Sequence, residues 1–330
     1  MIRFFRHSYL QQLIAIVLLV FVLWFPSFFS PSSAADFLNP ATPLYNVFAR
    51  LLAFSPTLMK VFALLVFIVS AFLFNSMLSV NLLVTRNSSL GSLMFTILLC
   101  FTPEQCDFYP FLLSVPLIMM AIQTMCLLYQ EEKSEPYLMN CGVFISIASM
   151  IYFPSAFLVV WMILAMVTMK FKSERLYIIP VFGFLMPYAV LFAIYYFTRT
   201  LPDSVEAYSA AFSSLFSGMS GLNTKDVVIF AFFGVLLLLS VPLIRSGNIV
   251  NSIQTRKKYG VTMILLVFGI VMLFVPGPVY CNGLFFFVMA VITAMALSDV
   301  KKTRIADVLL LIMILAAVTN QYLPLIKKVI

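Results

Sequence analysis

The charged residues of this chain are few, and where they fall constrains its fold more than any other feature. Asp, Glu, Lys and Arg make up 10% of the 330 residues, while 63% are hydrophobic. The charges sit at the ends of long apolar runs. So little polar surface cannot cover a water-soluble globule. The runs lack the two-residue alternation of a barrel strand, and only helices otherwise satisfy their own backbone hydrogen bonds in hydrocarbon. The expected fold class is therefore all-α, a polytopic integral membrane helix bundle forming one membrane domain over residues 1–330.

A crossing takes roughly 17–25 residues. The apolar runs predict eleven spans, at 11–29, 57–78, 88–101, 110–129, 137–151, 154–169, 177–198, 227–244, 261–275, 283–298 and 306–322. Two of these, 88–101 and 137–151, are short for a crossing and are expected to be tilted hairpin helices packed inside the bundle. Without one such hairpin pair the count is nine. With the N-terminus in the cytoplasm, fourteen of the 20 Lys and Arg residues fall inside and six outside. The positive-inside rule supports that orientation, in a bacterial inner (cytoplasmic) membrane. Arg3 and Arg6, the apolar run and Ser33-Ala34-Ala35 resemble a signal peptide. The run from Leu13 to Phe29 exceeds a usual signal core, and Pro26 and Pro31 interrupt it, so a retained anchor is expected.

Several function classes drop out. The net charge of +8 arises from basic clusters beside spans, which reads as topology and implies no nucleic-acid partner. The sole histidine, His7, excludes a histidine-based metal site or dyad. The five cysteines have no metal-ligand spacing; Cys106 and Cys281 share the outer side and are able to pair, though nothing requires it. No acid lies deep in a span, which weakens an ion-coupled transport reading, although Asn75, Gln123 and Asn140 remain as polar groups.

Two outer segments exceed simple turns. The first, 30–56, contains Asp36, Asn39 and an amphipathic stretch over 44–52, with Pro43 suited to a first helical turn. That stretch is expected to lie in the interface plane. The second, 198–226, contains Asp203, Glu206 and a small-residue stretch, Ser209 to Gly221, expected as a flexible loop or re-entrant lid. Phe108-Tyr109-Pro110 and Tyr152-Phe153-Pro154 form an internal echo, each opening a helix at an outer turn. The outer turn Thr102-Pro103-Glu104-Gln105-Cys106-Asp107 adds two acids. An acid there can act as general base on an acceptor hydroxyl, or share a divalent cation with a second acid. No other cofactor is implied. Arg50 and Lys60 are on the same side, where a cation binds a lipid phosphate or pyrophosphate, and with Asn39 they are the candidate substrate contacts. Lys60, one turn into its span, is expected to snorkel outward.

This loop order, a long acid-bearing first outer loop with a membrane-parallel helix and then a short hairpin with acids in its turn, resembles the GT-C class of polyprenol-linked glycosyltransferases. The likeness covers roughly residues 1–200, with residues 201–330 as a further helical part. It implies that Asp36 is the catalytic base, and that Glu104 or Asp107 supports the acceptor or a metal. The run from Asn140-Cys141-Gly142 through Tyr152-Phe153-Pro154 to Pro187-Tyr188 also resembles an uncharacterised family of bacterial multi-spanning membrane proteins, a domain of unknown function. The leading expectation is a glycosyltransferase that takes sugar from a polyprenyl-phosphate donor for envelope glycan, lipid or protein. The alternatives are a transporter or flippase for a lipid-linked or hydrophobic substrate, and a non-catalytic subunit of an envelope complex. A transferase needs one outer cavity, a transporter needs polar groups along a path to both faces, and a subunit needs a stable partner.

Overall fold

The computed structural model describes residues 2–6, 10–29, 41–85, 88–128, 134–169, 171, 173–214, 231–238, 240, 253–273, 283–299 and 303–329. Among them the only regular structure is helical. In chain order the helices are α1 (Ile2–Phe5), α2 (Leu10–Trp24, running on as a 3-10 turn, Phe25–Phe29), α3 (Pro43–Leu52), α4 (Pro56–Val80) and α5 (Leu90–Leu99). Then come α6 (Pro110–Leu127), α7 (Glu135–Ile151), a 3-10 turn (Phe153–Phe157) leading into α8 (Leu158–Met169), α9 (Glu174–Phe197) and α10 (Leu201–Ser214). The last are α11 (231–238), α12 (Ile253–Leu273), α13 (Gly283–Asp299) and α14 (Thr303–Val329).

Among the described residues, five segments are long and apolar enough to cross a membrane: Leu10–Phe29, Pro56–Val80, Pro110–Leu127, Glu174–Phe197 and Ala306–Leu323. Four shorter apolar helices accompany them, including Leu90–Leu99 and Gly283–Ser298. Most of the helices fall on the apolar runs, whereas α12 begins at Ile253, ahead of its run, and α10 lies outside every run. Pro stands in the first turn of α3, α4, α6 and α7, where its missing N–H costs nothing. Ser55 caps α4, its hydroxyl accepting from the Leu58 N–H at 3.4 Å.

The bundle is built around α5 and α13. Every residue of α5 is buried, and so is every residue of α13 from Gly283 to Ser298. These two pack on each other, with α4 and α12 against them. Phe74 of α4, Phe95 of α5 and Phe287 of α13 meet at ring separations of 5.0 to 6.5 Å. The short span expected over 88–101 is thus an interior element with no face left for lipid. Small polar residues let α5 approach α4: Ser92 donates to the Ala71 carbonyl at 2.8 Å, and a Cβ on Gly91 would stand 2.7 Å from Asn75 Oδ1.

Contacts at the helix ends sort into two groups. One joins Ser27, Lys60, the α5–α6 turn, Gln321 and Tyr322. The other joins Phe5, Asn81, Ser89, Met169, Lys258 and Leu297. This is what an up-and-down path of successive helices requires. α2 belongs to the bundle, with Ile16, Val20, Leu23 and Trp24 buried.

The most extensive helix pair is α7 with α9, and glycine makes it close. A Cβ on Gly142 would sit 2.1 Å from the Pro180 carbonyl oxygen, and one on Gly183 would sit 2.4 Å from that of Met139. Each glycine presses on the other helix's backbone, the small-residue mode of packing in apolar surroundings. Backbone cannot rotate aside, so Gly142→Ala and Gly183→Ala are each expected to cost at least about 1–3 kcal/mol. Gly234, with nothing within 4 Å of its added Cβ, is the control, and Gly234→Ala should gain up to about 1 kcal/mol of helix propensity. Thermal unfolding in detergent checks both; equal midpoints for all three variants would refute the crossing.

Candidate functional site

Of the sequence candidates, Glu104 and Asp107 belong to the α5–α6 turn, and Asp107 acts electrostatically on Lys60. α5 ends at Leu99, Pro103–Gln105 forms one 3-10 turn, and Pro110 opens α6. Asp107 is half-buried, and its Oδ1 accepts the Phe108 N–H at 2.7 Å. α3 is seated on this turn. The Tyr45 hydroxyl donates to the Phe108 carbonyl at 3.4 Å, and the two rings stack at 5.4 Å. Phe62 of α4 closes the group, its ring 6.3 Å from that of Phe108. The helix expected over 44–52 therefore exists with Pro43 in its first turn, and Tyr45 and Ala49 are its buried face. Val47, Leu51 and Phe54 stay exposed, as does Arg50.

Lys60 departs from expectation. It does not snorkel outward; it is 5% exposed, and its ammonium donates to the Ser27 carbonyl at 2.5 Å. Ser27 lies where α2 runs out, so its carbonyl has no place in a continuing helical ladder. A cation is the natural partner for such an end. Asp107 is near enough to act electrostatically on the same ammonium. One predicted acid and one predicted cation are thus within electrostatic reach of each other at this end.

Two residues on α14 bond the turn and a third bonds α2, and sequence reading did not single them out. Asn320 Nδ2 donates to the Phe101 carbonyl at 2.8 Å. Gln321 Nε2 reaches the carbonyls of Cys100 and Thr102 at 2.7 and 3.1 Å and Cys106 Sγ at 3.1 Å. The Tyr322 hydroxyl donates to the Val22 carbonyl at 3.0 Å. The available signal was a run of four hydrogen-bonding residues, Thr319 to Tyr322, following a long apolar stretch.

Asp36 and Asn39 lie outside the described residues, and of Glu104 the backbone alone is described. Cys106 is a buried thiol without a disulfide; Cys281 lies outside the described residues. Burial, then the neighbouring Cys100, push the Cys106 thiol well above its usual range, so it stays protonated and is no nucleophile. Among the described residues no three of His, Cys, Asp and Glu gather as a metal site would need.

In the second outer segment, residues 209–214 are helix and not a flexible loop. Residues 201–214, including the start of the stretch expected as a loop or lid, form α10, while 215–221 lie outside the described residues. Tyr208 packs against Phe153, Tyr188 and Phe192 at ring separations of 5.9, 6.3 and 6.1 Å. Burial raises the Tyr208 phenol. Tyr188 shares a 2.8 Å hydrogen bond with Ser149. The two echo turns meet edge to face through Phe111 and Tyr152, at 5.4 Å. Gly142, Tyr152, Phe153 and Tyr188, which carry the likeness to the uncharacterised family, thus do packing work here.

No family model, no curated protein and no solved structure matches this chain.

Gln321 gives the turn a direct test. Gln321→Leu keeps the volume but removes the donors, leaving a buried carbonyl short of a partner at about 1–3 kcal/mol. The variant should unfold earlier and expose Cys106 to maleimide, with Cys126 labelling unchanged. Unaltered Cys106 labelling would show that Gln321 does not hold the turn.

Proposed function

We propose that the protein is an integral membrane glycosyltransferase of the GT-C kind. It acts on the outer face of a bacterial inner membrane and moves a sugar from a polyprenyl-phosphate carrier to an envelope glycan, lipid or protein. The observation that carries this reading is the seating of α3 on the α5–α6 turn through Tyr45 and Phe108. The helix that closes the Asp36-bearing loop is thereby anchored on the turn that bears Glu104 and Asp107, with Lys60 beside it.

In this scheme Asp36 takes the proton from the acceptor hydroxyl as that oxygen attacks the sugar's anomeric carbon. Electrons of the breaking bond pass to the carrier phosphate. Arg50, exposed on α3, is the cation available to that phosphate. Lys60 is already committed to Ser27. Glu104 or Asp107 orients the acceptor, or holds a divalent cation with a second acid.

A general base contributes about 10²–10⁴-fold to rate, so Asp36→Asn should lower transfer from a labelled polyprenyl-phosphate hexose by that factor. Thermal stability and membrane insertion should be unchanged. Wild-type transfer rates in the variant would remove Asp36 from the chemistry and sink this reading.

A further inference from the structure

Among the described residues, the buried side-chain amides are, with one exception, spoken for. Gln12 Nε2 donates to Phe4, Asn81 Nδ2 to Met77, Asn320 Nδ2 to Phe101, and Gln321 Nε2 to Cys100 and Thr102. Gln105 differs. Its side chain is 1% exposed, and neither Oε1 nor Nε2 has a hydrogen-bond partner. Thr102 Oγ1 is likewise buried and unpartnered. The two residues belong to one turn, closed by the Gln105 N–H on the Thr102 carbonyl at 3.1 Å. A primary amide stripped of water and given nothing in exchange is a large penalty for a fold to carry. Burying a leucine or methionine there would avoid it.

We propose that the α5–α6 turn is a binding site for a polyhydroxylated group, received by the Gln105 amide with the Thr102 hydroxyl. The unpartnered set offers donors and acceptors together: two N–H bonds and a carbonyl oxygen from Gln105, and a hydroxyl from Thr102. Asp107 adds a negative charge at the edge of the turn. A phosphate or carboxylate accepts only, so it would leave Gln105 Oε1 bare and face Asp107. A metal ion would satisfy that oxygen but meet the positive side of the amide nitrogen. A polyprenyl tail would satisfy none of these groups. Adjacent sugar hydroxyls, each both donor and acceptor, match the whole set.

Both amide atoms are out of contact with solvent, so occupancy requires the turn to part from a neighbour. Assigning the hydroxyls to the donor's sugar rests on the transferase reading; the binding site itself does not.

Gln105→Met separates the two roles a buried residue can have. Removing an unpartnered amide should raise the unfolding midpoint of the ligand-free protein, whereas removing a structural hydrogen bond would lower it. The second measurement uses a short-chain polyprenyl-phosphate hexose and, as control, free polyprenyl phosphate, added to protein in a sugar-free detergent. The wild type should gain several degrees more from the hexose-bearing probe than from the free phosphate, and Gln105→Met should lose that difference. A lowered midpoint in the variant, a retained difference, or no difference in the wild type would each overturn the site. Hexose-dependent stabilisation without any sugar transfer would leave the site standing and count against the transferase reading alone.

Discussion

The structure depends on how the carbonyls at helix C-termini find partners. A helix leaves its last carbonyls without N–H donors, and surroundings poor in water offer no substitute. This chain answers with side chains sent across from other helices. Lys60 meets Ser27 at the end of α2, and Lys258 meets the Asn81 carbonyl and side chain at the end of α4. Lys257 meets Met169 at the end of α8, Arg6 meets Leu297 near the end of α13, and Gln321 meets Cys100 after α5. Ser88 and Ser89 do the same for Phe5.

Cations suit this task, because the C-terminal end of a helix carries partial negative charge. That explains a lysine such as Lys258, which is 1% exposed and reaches only the oxygens of Asn81, at 3.4 and 3.5 Å. A buried ammonium in apolar surroundings would be costly, and the oriented peptide dipoles at the end of α4 offset part of that cost. The basic residues therefore serve twice. Counted along the sequence they set the expected orientation, and in the folded bundle several of them join one helix end to another.

How much of this was legible beforehand follows from whether each signal is local. Helix positions were readable because a long apolar run announces itself, and α3 because Pro43 and its amphipathic pattern lie within ten residues. The burial of α5 on every side was foreshadowed by its shortness. α10 was missed because serine and alanine, read as a flexible stretch, also suit a helix once Tyr208 has an aromatic bed to lie on. The roles of Lys60 and Gln321 could not be read locally: the latter's bond to Cys106 joins residues 215 positions apart. Nothing in the neighbouring sequence encodes such a pairing. Asp36 was selected by loop order alone, whereas Asp107 acquires a physical setting from Tyr45, Phe108 and Lys60.

The same accounting of polar partners separates scaffold from site. Where a buried polar side chain bonds a helix end, its presence is explained by the fold, and its chemistry is already in use. Gln321 and Lys258 are of that kind, and so is Lys60, whose ammonium is committed to Ser27 before any substrate arrives. Gln105 answers no such need, since the helix end beside it is already served by Asn320 and Gln321. A chain this sparing with polar groups gains nothing from a further amide in its interior unless something outside the fold uses it. The turn at residues 102–107 is thus where the scaffold's own demands are met and polar capacity is left over.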